Sequence, residues 1–399
     1  MSQQCYFGVE LEFTLAIFWQ ENAVVPPEAV GKTVQFQVSP GARMGPVPPS
    51  TADTSKLLEY WEGPLTKPVQ DHLQKAFADN DLHAQTGGVL DDNDEPVEEE
   101  VRKVELWHIG RDDSVKYPDR APGVPYIYFP AEIASPKFPF NEKSLQDIIK
   151  ACKVLNDNYV VEANDSCGLH VHVSTEWDFK TLKNLVRFLW AFEPQMDSLH
   201  NSRRQEGEYA QSWRTSSGLV HQFYEKHGTM PNPELGLRII NKASSMSELL
   251  DLMIYPSGSD KGKYRAFNVK PLQAWLKDEQ TSMPTIEFRQ HAGSLNGEEI
   301  VNWVSLIVGI VQYCQKVEDV EFERLLEVTE AEAWEKQGDH SDVLNEQKHG
   351  RILAEGRFTI IHLLNRIGLK DSAAYYERRG IHQVSGKTKR YRISPHEER

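Results

Sequence analysis

The chain has 399 residues and a formal net charge of −15. That length is enough for a large core and for two domains, while the acidic balance argues against a general nucleic-acid binder, which needs a basic face. The four cysteines, Cys5, Cys152, Cys167 and Cys314, are scattered and form no CxxC pair, the pattern of a reduced intracellular protein.

The N-terminus, MSQQCYFGVELEF, has neither a basic segment nor a long apolar one, so no secretory signal is expected. A first strand is predicted from Tyr6 to Ile17, with a possible partner near residues 33–38. A Pro/Gly-rich connector follows at 40–49, then helical patterns at Thr54–Tyr60 and Val69–Asn80. The run DDNDEPVEEE at 91–100 reads as a solvated acidic loop; it lacks the glycine and spacing of a calcium loop.

Strand candidates come next at Val104–Ile109 and Val124–Ala134. Leu145, Ile148, Ile149, Cys152 and Leu155 recur at near-helical spacing and predict a helix over Ser144–Asn156. A strand at Gly168–Ser174 and a long helix at Phe179–Leu199 follow, with Pro194 kinking or ending the helix. Residues 201–217 are polar and read as a loop or lid, and Asn232–Leu252 reads as largely helical.

A Gly/Ser/Lys loop (PSGSDKGK) runs into a strand at YRAFNV, and another strand covers Ile286–His291. Asn296 followed by Glu298 and Glu299 has the form of a helix N-cap with acidic first-turn residues. The helix it opens, to about Lys316, is strongly apolar; its core at residues 301–311 carries Asn302 and Ser305 and is too short to span a membrane. Beyond Glu318 the chain becomes charged and helical, with a long helix near Glu346–Ile367 and a basic tail. The organisation expected is a catalytic domain over 1–317, with a variable insert at about 40–103, and a helical extension over 318–399. Strands with interspersed helices, lacking regular βαβ alternation, predict an α+β fold: a largely antiparallel sheet with helices packed on one face.

Three strands carry pairs of ligand-type side chains at i and i+2: Glu10 and Glu12, His170 and His172, Glu287 and Arg289. Such pairs lie on one face, about 6.5–7 Å apart. Carboxylates and imidazoles among apolar neighbours need a compensating cation. Glu132 sits in a fourth apolar run, YIYFPAEIASP. Hard oxygen ligands of this kind suit Mg²⁺ or Mn²⁺, and several carboxylates beside histidine and arginine suit a cluster holding divalent ions and phosphate. An amphipathic edge strand with solvated glutamates is the plainer explanation of Glu10 and Glu12, and the histidine pair alone would also suit zinc. Two phosphate-loop look-alikes fail: Gly380 is one residue out of register with Gly386-Lys387-Thr388, and Pro26 stands where Gly31-Lys32-Thr33 needs a glycine.

The segments FGVELEF, LWHIGRDDS, AEIASP, CGLHVHVS, YRAFNV and TIEFRQHAGSLNGEEIVNWV occur in an order that resembles the amidoligase family of carboxylate–amine ligases, with a glutamine-synthetase-like catalytic fold. The resemblance spans residues 6–315. It implies an ATP-dependent ligase in which a carboxylate attacks the γ-phosphate and an amine captures the acyl phosphate as an amide. It further implies Mg²⁺ (or Mn²⁺) on Glu10, Glu12, Glu132, His170 and Glu287. ATP phosphate would be held by His172, Arg289 and Arg265, with Lys263 closing over the nucleotide. Arg289, Arg265 and Glu287 would be catalytic, and Asp112, Ser114 and Asn268 would lie at the substrate. Partners would be small-molecule or peptide carboxylates and amines, in the cytoplasm, with no membrane or nucleic acid involved. A metal-dependent amidase or peptidase using the HxH pair, and an inactive nucleotide-binding protein, are the competing readings.

Overall fold

A computed structural model describes residues 4–18, 27–32, 54–87, 104–116, 126–200, 204, 208–254, 264–279, 283–327 and 358–380. The expected strand at 33–38, the connector at 40–49, the acidic loop at 91–100, Lys263 and the basic tail lie outside them, as do residues 346–357 of the expected late helix.

The fold is α+β, with a mainly antiparallel open sheet and, among the described residues, twelve α-helices. Two compact units divide the chain: a first made of residues 6–170 and 292–301, and a second made of 1–5, 171–291 and 302–399. No described helix is long and apolar enough to cross a membrane.

In the first unit, β1 (Tyr6–Phe18) pairs antiparallel with β4 (Tyr126–Ala134), and β4 pairs antiparallel with β3 (Trp107–Arg111). The short β2 (Ala84–Thr86) adds to β3 in parallel. On its other edge β1 receives β6 (Val161–Glu162), and β5 (Phe138–Pro139) pairs with its start. β1 is therefore internal. Val9, Leu11, Phe13 and Leu15 alternate onto one face and are at most 1% exposed, and Glu12 on the other face is buried as well. A solvated edge strand is thereby ruled out as the explanation of Glu12.

Helix α1 (Thr54–Ala78) is one continuous element where two helical stretches are predicted. Gly63, Pro64 and Pro68 punctuate the sequence, yet helical backbone runs through them. Val69, Leu73 and Phe77, spaced four apart, are fully buried, and Phe77 meets Trp107 of β3 edge-on at 5.5 Å. Tertiary burial of that stripe outweighs the local breakers. Helix α2 (Glu142–Asn158) begins two residues before the predicted start because Asn141 accepts from the Ser144 N–H. Strand β3 begins three residues later than predicted; Val104 is in a turn and 37% exposed.

Strand β7 (Gly168–Ser174) has the predicted bounds. The division between units falls within it, after His170. In the second unit the strand order is β7-β9-β8, with β9 Thr285–Ala292 and β8 Phe267–Asn268. Helix α3 (Phe179–Asp197) is that unit's spine, capped by Asp178 and kinked at Phe192, just before Pro194 as anticipated. Residues 208–216, read as polar loop, contain a 3₁₀ turn and helix α4 (Trp213–Ser216). Helix α5 (Gly218–His227) follows. The stretch Asn232–Leu252, read as largely helical, holds two helices, α6 (Pro233–Asn241) and α7 (Met246–Met253), because Ser245 starts a new helix by accepting from Glu248 N–H.

Helix α8 (Lys270–Lys277) comes next, then α9 (Gly297–Lys316), opened as predicted by Asn296, whose Oδ1 accepts from the N–H groups of Glu298 and Glu299. Helices α10 (Asp319–Leu326), α11 (Ile360–Arg366) and α12 (Lys370–Arg378) complete the second unit. Arg187 of α3 donates a bidentate pair to Glu323 of α10 at 2.8 and 2.7 Å.

Candidate active site

Both units carry predicted site residues, and β7 gives one histidine to each.

The cluster of the first unit grows from strand register. Glu12 stands opposite Glu132, and Glu132 stands opposite Gly110. Facing residues of antiparallel strands project to the same side, so two carboxylates are brought together while glycine leaves room beside them. Asp112 follows Gly110 by two residues, and one oxygen from each of Glu12, Asp112 and Glu132 lies within 4.8 Å of the others. The turn carrying Asp112 is pinned: its Oδ1 accepts from Ser114 N–H at 2.6 Å, the Lys116 N–H donates to Ser166 Oγ, and Asn164 donates to the Lys116 carbonyl. That latch ties the turn to the loop leading into β7.

His170 stands between the members of the first predicted pair. Its Nδ1 is 3.2 Å from Glu10 Oε2 and its Nε2 is 3.3 Å from Glu12 Oε1. A neutral imidazole has one N–H. One contact therefore sets a lone pair against a carboxylate oxygen unless the ring carries a second proton or a cation stands between. Glu12 Oε2 also accepts the Gly168 N–H at 2.6 Å, so the start of β7 and the carboxylate fix each other.

The cluster of the second unit is built on β8 and β9. Asn268 faces Glu287 in register and donates to its Oε2 at 2.6 Å. Arg289, two residues on and on the same face, pairs with Glu287 Oε1. Glu287 is 4% exposed, so its charge depends on these donors. His172 Nε2 lies 4.0 Å from Glu287 Oε1, and its Nδ1 is 3.3 Å from Thr285 Oγ1. The Arg289 guanidinium is held from behind by the Tyr209 carbonyl, which accepts from Nε at 3.2 Å, and stands 6.0 Å from the Tyr264 ring centre. Arg265 is buried and pairs with the Gln211 side chain; three residues before Asn268, it is out of phase with it along the chain.

Both clusters lie inside one region of sequence likeness. A family model described as "putative amidoligase enzyme" matches residues 3–311. The chain belongs to the amidoligase family. No curated protein and no solved structure matches it. Amidoligases form amide bonds, and this general activity is what membership carries. Apart from Lys263, which lies outside the described residues, every predicted site residue of this amidoligase is placed in one cluster or beside it.

Sequence reasoning missed three contributors. Tyr209 and Thr285 act through a backbone carbonyl and a lone hydroxyl, neither of which has a sequence signature. Arg204 lies in the run expected to be a polar loop or lid; it is buried, and its Nη2 donates to the Arg289 carbonyl at 2.6 Å. Cys167 beside the HxH motif is fully buried, and burial pushes its thiol up to about 11, which removes it as a nucleophile near neutral pH. A surface depression of about 660 Å³ in the first unit, between α2 and the start of α9, is lined by Cys152, Lys153, Asn156, Ser294 and Asn296, none of which belongs to either cluster.

Proposed function

We propose that this amidoligase couples ATP cleavage to joining a carboxylate and an amine, through an acyl phosphate and with Mg²⁺ or Mn²⁺ as the cation. The observation that carries the reading is the register pair Glu12 and Glu132 with Asp112 beside it, three acids converging at an internal strand, Glu12 buried and the other two half-buried. Facing like charges destabilise a sheet, and buried carboxylates need neutralising. The donor set is all oxygen, with one imidazole near, which fits a hard divalent ion. Glu12, Glu132 and Asp112 would hold it, with Glu10 and His170 adjacent. When bound, such an ion would neutralise phosphate charge and orient the transferred group.

The chain's own residues would do the rest. Arg289 is a rigid guanidinium held from behind by Tyr209, presented for the equatorial oxygens of a transferring phosphoryl group. Glu287 and Asn268 set its direction in the resting state. His172 would donate to a phosphate oxygen from Nε2 while Thr285 orients the ring through Nδ1. The carboxylate oxygen attacks the γ-phosphorus and ADP leaves. The amine nitrogen then attacks the acyl carbon, inorganic phosphate leaves, and the amine loses its proton to a neighbouring base. Catalysis here is mostly positioning and charge neutralisation.

The two-histidine hydrolase reading fares worse. Within the first unit His170 stands among the carboxylate oxygens of Glu10 and Glu12, at 3.2 and 3.3 Å, a set in which hard oxygen donors outnumber imidazole. The test is incubation with Mg²⁺, ATP and pooled acids and amines. Release of ADP and phosphate that needs both an acid and an amine is expected, with hydroxylamine trapping a hydroxamate from the acyl phosphate. A folded, metal-loaded protein that does not bind ATP overturns the reading.

A further inference from the structure

Pro194 lies inside α3 and has no N–H, so the carbonyl four residues earlier, that of Trp190, loses its helical donor. The structure supplies a replacement from 20 residues downstream. Arg214 Nε donates to the Trp190 carbonyl at 2.8 Å, and its Nη2 donates to the Ala191 carbonyl at 2.6 Å. Glu193, fully buried in the same turn, sends its carboxylate the other way. It accepts from the Trp213 N–H at 2.8 Å, the Arg214 N–H at 3.1 Å and the Ser212 hydroxyl at 2.8 Å. Five bonds thus rivet residues 212–214 to the kink. Burial raises the pKa of the Glu193 carboxyl, and these donors with the Arg214 charge offset only part of that rise.

The riveted segment has a second end. Immediately before Ser212 come Gln211, whose backbone pairs with Tyr264 and Ala266 and whose side chain binds Arg265, and Tyr209, whose carbonyl accepts from Arg289 Nε. We propose that Glu193 and Arg214 are positioning residues for Arg289: the proline kink of α3 sets where the Tyr209 carbonyl stands, and hence where the guanidinium points. A kink held only for packing would need neither a buried carboxyl nor a buried guanidinium; apolar side chains would fill it with less desolvation. This inference rests on the proposal that Arg289 binds phosphate only in its functional arm.

The experiment uses the full chain in wild-type form and as Glu193→Gln, Arg214→Lys and Arg187→Met. Arg187→Met is the structural control: it removes a different buried guanidinium, the one on α3 that binds Glu323, which makes no hydrogen bond to residues 208–214 among the described residues. The primary readout is the Nε–Hε NMR resonance of Arg289, assigned by its loss in Arg289→Lys; the second is Mg·ATP affinity by calorimetry. Glu193→Gln and Arg214→Lys are expected to shift or broaden that resonance and to weaken Mg·ATP by about tenfold, the scale of one hydrogen bond to a charged group. Arg187→Met should lower the melting temperature and leave both readouts unchanged. An Arg289 signal unmoved in Glu193→Gln, or moved equally in Arg187→Met, overturns the inference. Should Arg214→Lys not fold, Glu193→Gln, which keeps volume and an acceptor, decides alone. If the wild type binds no Mg·ATP, the proposed function fails while the resonance still decides the positioning role.

Discussion

Glu12 and Glu132 face each other across neighbouring antiparallel strands, and a third acid, Asp112, brings an oxygen within 4.8 Å of both. Without a cation three such charges repel; with one they would serve as its ligands.

Stability should therefore depend on divalent ions. Mg²⁺ or Mn²⁺ added to chelator-treated protein should raise the melting temperature, by an amount equivalent to about 2.7 kcal/mol at a hundredfold excess over the dissociation constant. Glu132→Gln should lose most of that rise, and its metal-free form should melt at or above the metal-free wild type because one repulsive charge is gone. Scanning fluorimetry with and without chelator checks both halves; a metal-free Glu132→Gln that melts well below the wild type would contradict the second.

Arg289 and Glu287 should matter to turnover far more than to folding. Removing a charge-stabilising donor of this kind costs about 10²–10³ in kcat. Arg289→Ala and Glu287→Gln are expected to lose at least that much ADP release in the coupled assay, with circular dichroism unchanged. Retained turnover would move the chemistry elsewhere.

His200 gives a pH signature in the second unit. It is half-buried, its ring 4.8 Å from Trp303 and 5.3 Å from His291, and desolvation, with the nearby His291 and Arg204 charges, holds its pKa well below the usual histidine value. The folded state therefore keeps it neutral, while the unfolded chain binds a proton below about pH 6.5. Stability rises with pH wherever the unfolded state binds more protons, so it should fall by about 1.4 kcal/mol per pH unit below 6.5, until the folded pKa is reached. In His200→Phe that contribution is absent, and the difference between wild-type and variant urea midpoints at pH 7.5 and 5.5 reads it directly.

Gly236 of α6 packs against α3 with no room for a side chain. A Cβ there would stand 2.1 Å from the Trp190 ring, and the Trp190 indole N–H, bonded to the Pro233 carbonyl at 2.9 Å, keeps that ring from turning aside. Gly236→Ala should destabilise by about 1–3 kcal/mol, the usual scale for overpacking, as measured by chemical denaturation.

The strands bearing the functional pairs were legible because a period of two is written locally: β1, β7 and β9 appear at or near their predicted bounds. So was the Asn296 cap, which needs only the next three residues. The meeting of Asp112 with Glu12 and Glu132 was not, since it depends on the register of β4 against both β3 and the sequence-distant β1. Helix α1 misled because Gly63, Pro64 and Pro68 signal breaks that the burial of Val69, Leu73 and Phe77 overrides. The Glu193–Arg214 rivet was invisible for a similar reason: a polar run looks solvated until the carbonyls freed by a distant proline are seen to need donors.

Strand β7 feeds both clusters from alternate positions, with Leu169, Val171 and Val173 filling the other side. Side-chain alternation makes that arrangement intolerant of frame: deleting a single residue between Gly168 and His170 would turn every later side chain of the strand over. Both imidazoles would leave together and valines would arrive in their place. A lesion that small would strip the carboxylates Glu10 and Glu12 in one unit and Glu287 in the other of their histidine neighbour at a stroke.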